Sequence, residues 1–184
     1  MLHTNLRCLA SGDGLAEYLL PLIHMPFLET LEIDTWGVRG NSASLRMITA
    51  LSTWPSPCRL EEFEIQGIDY AEEISSLRGA LRVLPMLRRL CFNRVDFSNK
   101  WWPTDISTLC PQLTTLQFNG CAGLTGKDLL STVQHRSEGD AGKASIGLIE
   151  IHVPLQRMEV DEGTQEALRA IVELRFHSRS TWPW

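Results

Sequence analysis

Between Cys110 and Leu130 the chain reads Cys-Pro-Gln-Leu-Thr-Thr-Leu-Gln-Phe-Asn-Gly-Cys-Ala-Gly-Leu-Thr-Gly-Lys-Asp-Leu-Leu. Apolar side chains fall at Leu113, Leu116, Phe118, Cys121, Leu124, Leu129 and Leu130. Leu116-Gln117-Phe118 alternates in, out, in, the period of a strand. The later apolar positions spread to the spacing of an arc and then a helix. Such a unit has one apolar flank running along strand, arc and helix, and it cannot cover that flank alone. It needs similar units stacked on either side.

The strand triplet does recur. The matching inward pairs are Leu6/Cys8, Leu31/Ile33, Phe63/Ile65, Leu90/Phe92, Leu116/Phe118 and Ile149/Ile151. All but the first have an apolar residue three places earlier, at Leu28, Leu60, Leu87, Leu113 and Ile146. First members at 6, 31, 63, 90, 116 and 149 lie 25, 32, 27, 26 and 33 residues apart. The two long intervals predict insertions, one at the proline-broken Trp54-Pro-Ser-Pro-Cys58 and one at the polar, glycine-rich segment 137–142.

The intervening segments read as helices at 14–24, 42–53, 72–84, 102–110, 125–135 and 164–173. Asn41 or Ser42 caps the second. Thr125 and Asp128 stand at capping-box spacing at the start of the fifth. Leu168, Ile171 and Val172 face inward in the last. Strands alternating with helices return each time in the same direction, so the strands pair in parallel. The fold class expected is α/β: a right-handed solenoid of about six repeats spanning 1–184 as one domain, strands concave and helices convex. Residues 174–184 form a terminal strand and tail, with Leu174–Ser178 as the strand; Arg175, His177 and Arg179 blunt its edge, and Trp182 and Trp184 fold back over the last repeat. No polar cap precedes the first strand. The expectation is that Leu15–His24 closes that end or that the chain is the C-terminal part of a longer architecture.

Composition narrows the function. Lys and Arg total 17 against 22 for Asp and Glu, a net charge of −5, which argues against nucleic acid. Hydrophobic content of 43% with 21% charged residues is that of a globular chain and not of a disordered one. The five cysteines, at 8, 58, 91, 110 and 121, form no C-x-x-C pair. They read as reduced thiols, with Cys8, Cys110 and Cys121 in core positions. With no basic leader and no apolar run of membrane length, the expectation is a monomeric intracellular protein, cytoplasmic or nuclear. Gly126-Lys127 is followed by Asp128, so no phosphate loop forms. The histidines share no H-x-x-x-H spacing, and there is no G-x-S-x-G elbow. No metal or cofactor is expected. Cys91 and His152 could both face the concave side, but two strand intervals of ~4.8 Å separate them, too far for a catalytic pair.

The informative side chains are those pointing out of the strands. Alternation puts Thr30, Glu32 and Asp34 outward on one strand and Glu62, Glu64 and Gln66 on the next. Arg89, Cys91 and Asn93 follow, then Thr115, Gln117 and Asn119, then Leu148, Glu150 and His152. The candidate partner-binding residues are Glu32, Asp34, Glu62, Glu64, Arg89, Asn93, Gln117, Asn119, Glu150 and His152. Four carboxylates on two adjacent strands form an acidic area suited to steering a basic partner. Trp101-Trp102-Pro103 offers either an aromatic anchor for a partner or a cover for the core.

The segment Cys110-Pro-x-Leu-x-x-Leu-x-Phe-x-x-Cys121-x-x-Leu124-Thr125 resembles the cysteine-containing leucine-rich repeat, with Gly126 where Asp is usual. The uneven spacing and the Trp182-Pro-Trp184 ending resemble the repeat regions of fungal F-box proteins. That resemblance implies the substrate-holding half of a ubiquitin-ligase receptor. The F-box itself, which would dock on the ligase adaptor, is absent from this sequence. The function expected is therefore a non-catalytic protein-interaction module binding a protein through the concave strand face. The alternatives are an enzyme with a site dispersed over the loops and a truncated product without its own function.

Overall fold

The computed structural model describes residues 2–3, 8–11, 23–24, 27–34, 59–66, 71–98, 106–137, 146–152 and 160–176. The elements run β1 Leu2–His3, β2 Cys8–Ser11, β3 Ile23–His24, β4 Thr30–Asp34, β5 Glu62–Gln66, α1 Ala71–Arg82, β6 Arg89–Asn93, α2 Ile106–Leu109, β7 Thr115–Asn119, α3 Gly126–Ser137, β8 Leu148–His152, α4 Glu162–Arg169 and β9 Glu173–Phe176. The fold is α/β. Seven strands, β2 and β4 to β9, form one sheet in chain order, and every neighbouring pair is parallel. β1 and β3 make a separate parallel pair.

The register builds two inward rows. Leu31, Phe63, Leu90, Leu116, Ile149 and Leu174 lie side by side, as do Ile33, Ile65, Phe92, Phe118, Ile151 and Phe176. From Leu31 to Ile149 and from Ile33 to Ile151 both rows are buried, while Leu174 and Phe176 at the last strand are half-buried. The same core takes in Leu77, Ala80 and Leu81 of α1, Ile106 of α2, Leu129 and Val133 of α3 and Leu168 of α4. A helical layer thus covers the face of the sheet that carries the apolar rows. Phe92 stacks on Phe118 at a centroid distance of 5.7 Å, and Phe97 meets both edge-on at 5.4 and 6.1 Å.

A repeated hydrogen bond begins strands β5 to β8. The carbonyl of Glu29 accepts from the amides of Glu61 and Glu62, that of Glu61 from Arg88 and Arg89, that of Arg88 from Thr114 and Thr115, and that of Thr114 from Gly147 and Leu148. The turn after β6 and β7 repeats as well. Arg94 (φ 52°) and Gly120 (φ 63°) occupy the left-handed region one interval apart, and Asp96 bridges in parallel to Ala122. Gly123 (φ 70°) sits where a Cβ would lie 2.2 Å from the Ser98 amide nitrogen, so the close approach of the two turns requires glycine. The thiol of Cys121 donates to the Phe92 carbonyl at 3.3 Å and that of Cys110 to Leu81 at 3.8 Å. Both thiols are buried, and burial pushes Cys121 up to about 12.

The structure departs from the sequence reading at three places. β2 aligns Leu9 and Ser11, in place of Leu6 and Cys8, with Leu31 and Ile33, because the ladder pairs Cys8 with Thr30. Ile23 and His24 are strand and not the end of a helix, since they pair with Leu2 and His3. The last helix is Glu162–Arg169, shifted toward the N-terminus because the Asp161 side chain accepts from the Thr164 amide at 2.8 Å and caps it. Consequently Ile171 falls after the helix and is 40% exposed, while Val172 is buried. At α3 the capping box forms, with Asp128 donating its amide to Thr125 Oγ1 and accepting from the Thr125 amide, both at 3.2 Å. The helices expected at 14–22 and 42–53, the insertion at 54–58, Trp101, Trp102 and the tail from 177 lie outside the described residues.

Candidate functional site: the outer face of the sheet

Strand alternation turns the residues between the apolar rows away from the helices. The ladder sorts them into three outer rows. The central row is Glu32, Glu64, Cys91, Gln117, Glu150 and Arg175. On the side where the strands start lie Thr30, Glu62, Arg89, Thr115, Leu148 and Glu173. On the other side lie Asp34, Gln66, Asn93, Asn119 and His152. All ten residues singled out in the sequence therefore stand in these rows. For Asp34 and His152 the description extends to the backbone alone.

These side chains are tied to one another across strands. Arg89 Nη2 donates to Gln117 Oε1, and Asn93 Nδ2 donates to Glu64 Oε1. Gln117 Nε2 donates to Asn119 Oδ1 at 3.1 Å, and Asn119 Nδ2 donates to Cys91 Sγ at 3.3 Å. At the last strand, Arg175 pairs with Glu173 at 2.7 Å and Glu150 at 3.4 Å. Gln117 and Asn119 are buried although they point away from the core. The middle of the face is thus a connected amide and guanidinium network and not a set of independent solvated side chains.

Charge is unevenly spread along the rows. Glu32 and Glu64 are register partners, and the carboxyl of Glu64 is held above the usual carboxylate range. Its burial is the main cause and Glu32 adds to it, while Arg89 and the Asn93 hydrogen bond oppose it. Cys91, expected as a face residue, is in the outer row yet 5% exposed, beneath Asn119. Its thiol is pushed far above the ordinary value, chiefly by burial and then by the Glu64 charge. Cys91 stands on β6 and His152 on β8, with β7 between them.

A cleft of about 340 Å³ opens along the strand starts, lined by Glu61, Glu62, Arg88, Arg89, Thr114, Thr115, Leu148 and Glu150. Arg88 and Glu61 face each other across its rim at 3.8 Å. Sequence reasoning placed Thr115 and Leu148 outward without assigning them to a site, and it passed over Glu61, Arg88 and Thr114. The missing signal is geometric: the last three precede their strands, outside the alternation that identified the others. Among the described residues, no group of three or more His, Cys, Asp or Glu is placed to hold a metal ion. No helix among them is long and apolar enough to cross a membrane.

No known protein-family profile matches the sequence, and no curated protein matches it either. Among solved structures, the fold is similar to the crystal structure of a Bacteroides fragilis protein determined as a structural-genomics target, with a TM-score of 0.56 at 15% identity. The alignment covers 86% of this chain and 43% of that one, so the chain spans less than half the length of the protein it resembles. At this identity the likeness is one of fold.

Proposed function

We propose that the chain is a right-handed leucine-rich-repeat solenoid that serves as a non-catalytic protein-interaction module, with the outer face of the sheet as its binding surface. The observation that carries this reading is the arrangement of that face. Charged and amide side chains are held in register over consecutive strands and braced by Arg89–Gln117–Asn119–Cys91 and Glu64–Asn93 contacts. A surface ordered before its partner arrives loses less side-chain freedom on binding. The cysteine-type repeat at Cys110–Thr125 supports the same reading, as does the chain-ordered parallel sheet. The resemblance to fungal F-box proteins makes substrate recognition for a ubiquitin ligase the specific form proposed. Cys91 supports a binding rather than a catalytic role, because a nucleophilic thiol needs a lowered pKa and this one is raised.

The test is affinity capture with the parent chain and with Glu32→Lys/Glu64→Lys. The parent should retain a discrete partner whose capture weakens with added salt, and the charge-reversed chain should lose it. Capture of the same partner by both chains with the same salt dependence would refute the reading.

A further inference from the structure

The row along the strand starts contains one residue that its neighbours do not explain. Among the described side chains of the outer rows, Leu148 is the only large aliphatic one, and it is half-buried in the wall of the cleft. In the same row, Glu62 is exposed and makes no ion pair with the described residues, whereas the other charged groups of the cleft are engaged. Arg88 faces Glu61, Glu150 is held by Arg175, and Arg89 reaches toward Gln117 on the strand farther from Glu62. The open groups are a carboxylate at one end and an aliphatic patch at the other, with the Thr115 hydroxyl between them. The nearby carboxylates of Glu32 and Glu64 strengthen the preference for a cation at the first end.

Resting on the interaction-module reading above, we propose that this cleft takes an extended segment of the partner protein that carries a basic residue over Glu62 and an aliphatic residue over Leu148. Glu62, Arg89, Thr115 and Leu148 come from four successive strands in register. Three strand intervals of ~4.8 Å put the two ends ~14 Å apart. An extended chain rises ~3.3 Å per residue and turns alternate side chains to one side, so ~14 Å corresponds to a separation of about four residues, an even number that leaves both side chains facing the cleft. The segment crosses the strands, and Thr115 is placed to hydrogen-bond its backbone. The partner is thereby specified by spacing as well as by charge.

The experiment titrates the full chain into fluorescein-labelled Gly-Lys-Ala-Ser-Ala-Leu-Gly and follows anisotropy. A peptide with Lys and Leu one residue closer, and one with Glu in place of Lys, serve as comparisons. The first peptide should bind at least about tenfold more tightly than either comparison. Glu62→Lys should weaken it and strengthen the Glu peptide, and Leu148→Ser should weaken both. Thermal melts of the two variants, each altered at an outward position, confirm that they fold. Equal binding of all three peptides, no binding by any, or indifference to both substitutions would overturn the cleft assignment. If Glu32→Lys/Glu64→Lys abolishes partner capture while Glu62→Lys leaves it intact, the interaction-module reading stands and the cleft assignment falls.

Discussion

Truncating Leu116 to Ala tests the core row where it has least room to relax. Leu116 is fully buried on β7, with Leu90 on one side and Ile149 on the other, and both neighbours are also fully buried. The substitution deletes three buried carbons, which at ~0.8 kcal/mol each is ~2.4 kcal/mol of lost transfer free energy. The cavity adds to this, and Leu→Ala changes in well-packed cores span roughly 2.7–5 kcal/mol. β7 is hydrogen-bonded on both edges, so the flanking strands cannot slide in to fill the space. The expected loss is therefore in the upper part of that range, ~3–5 kcal/mol. Leu174 occupies the same row on β9 but is only half-buried. Its truncation should cost ~1 kcal/mol, close to the typical single substitution. Urea denaturation of both variants, read at unchanged m, gives the comparison. A Leu116→Ala loss below ~1 kcal/mol, or one equal to that of Leu174→Ala, would refute the row as the organiser of the core.

Gly123→Ala should lose at least ~2 kcal/mol, since the residue sits at φ 70° and its new Cβ would strike the Ser98 backbone, whereas Gly147→Ala, which meets nothing within 4 Å, should be close to neutral in the same melts. Glu64 is raised in the folded state, so its contribution to stability is complete below the unfolded carboxylate range and fades as pH rises through the folded value. Asp96 and Asp161 are lowered by their Ser98 and Thr164 hydrogen bonds, so their contributions are present above the unfolded range and fade as pH falls. Glu64→Gln should therefore gain stability relative to the parent between about pH 4 and pH 7. A difference that stays constant, or shrinks, over that range would contradict the sign.

The inward pairs from Leu31/Ile33 to Ile149/Ile151 were legible in the sequence because a two-residue period joined to an apolar residue three places earlier has few other meanings. The capping box of α3 was legible for the same reason, its two side chains being local partners. Less was legible at the first strand, where Leu6-Arg7-Cys8-Leu9 offers two apolar phases and only pairing with β4 selects between them. The outer rows could be enumerated from alternation, but the contacts among them could not. Nothing local says that Arg89 reaches Gln117 across 28 positions, or that Asn119 covers Cys91. The cleft was hidden because three of its eight lining residues, Glu61, Arg88 and Thr114, precede the strands.

The shared carbonyls at the strand starts have a kinetic corollary. Each of them joins a strand to the next one along the chain, and the widest step in the seven-stranded ladder is Thr115 to Leu148, 33 positions. No pairing has to wait for the two ends of the chain to find each other, so ordering can begin at any adjacent couple and spread outward. The β6–β7 couple, with its three phenylalanines, its glycine-dependent turn and its two hydrogen-bonded edges, is the natural place for that spread to start. Loss of structure under mild denaturant should run the other way, reaching the half-covered last strand first and that couple late.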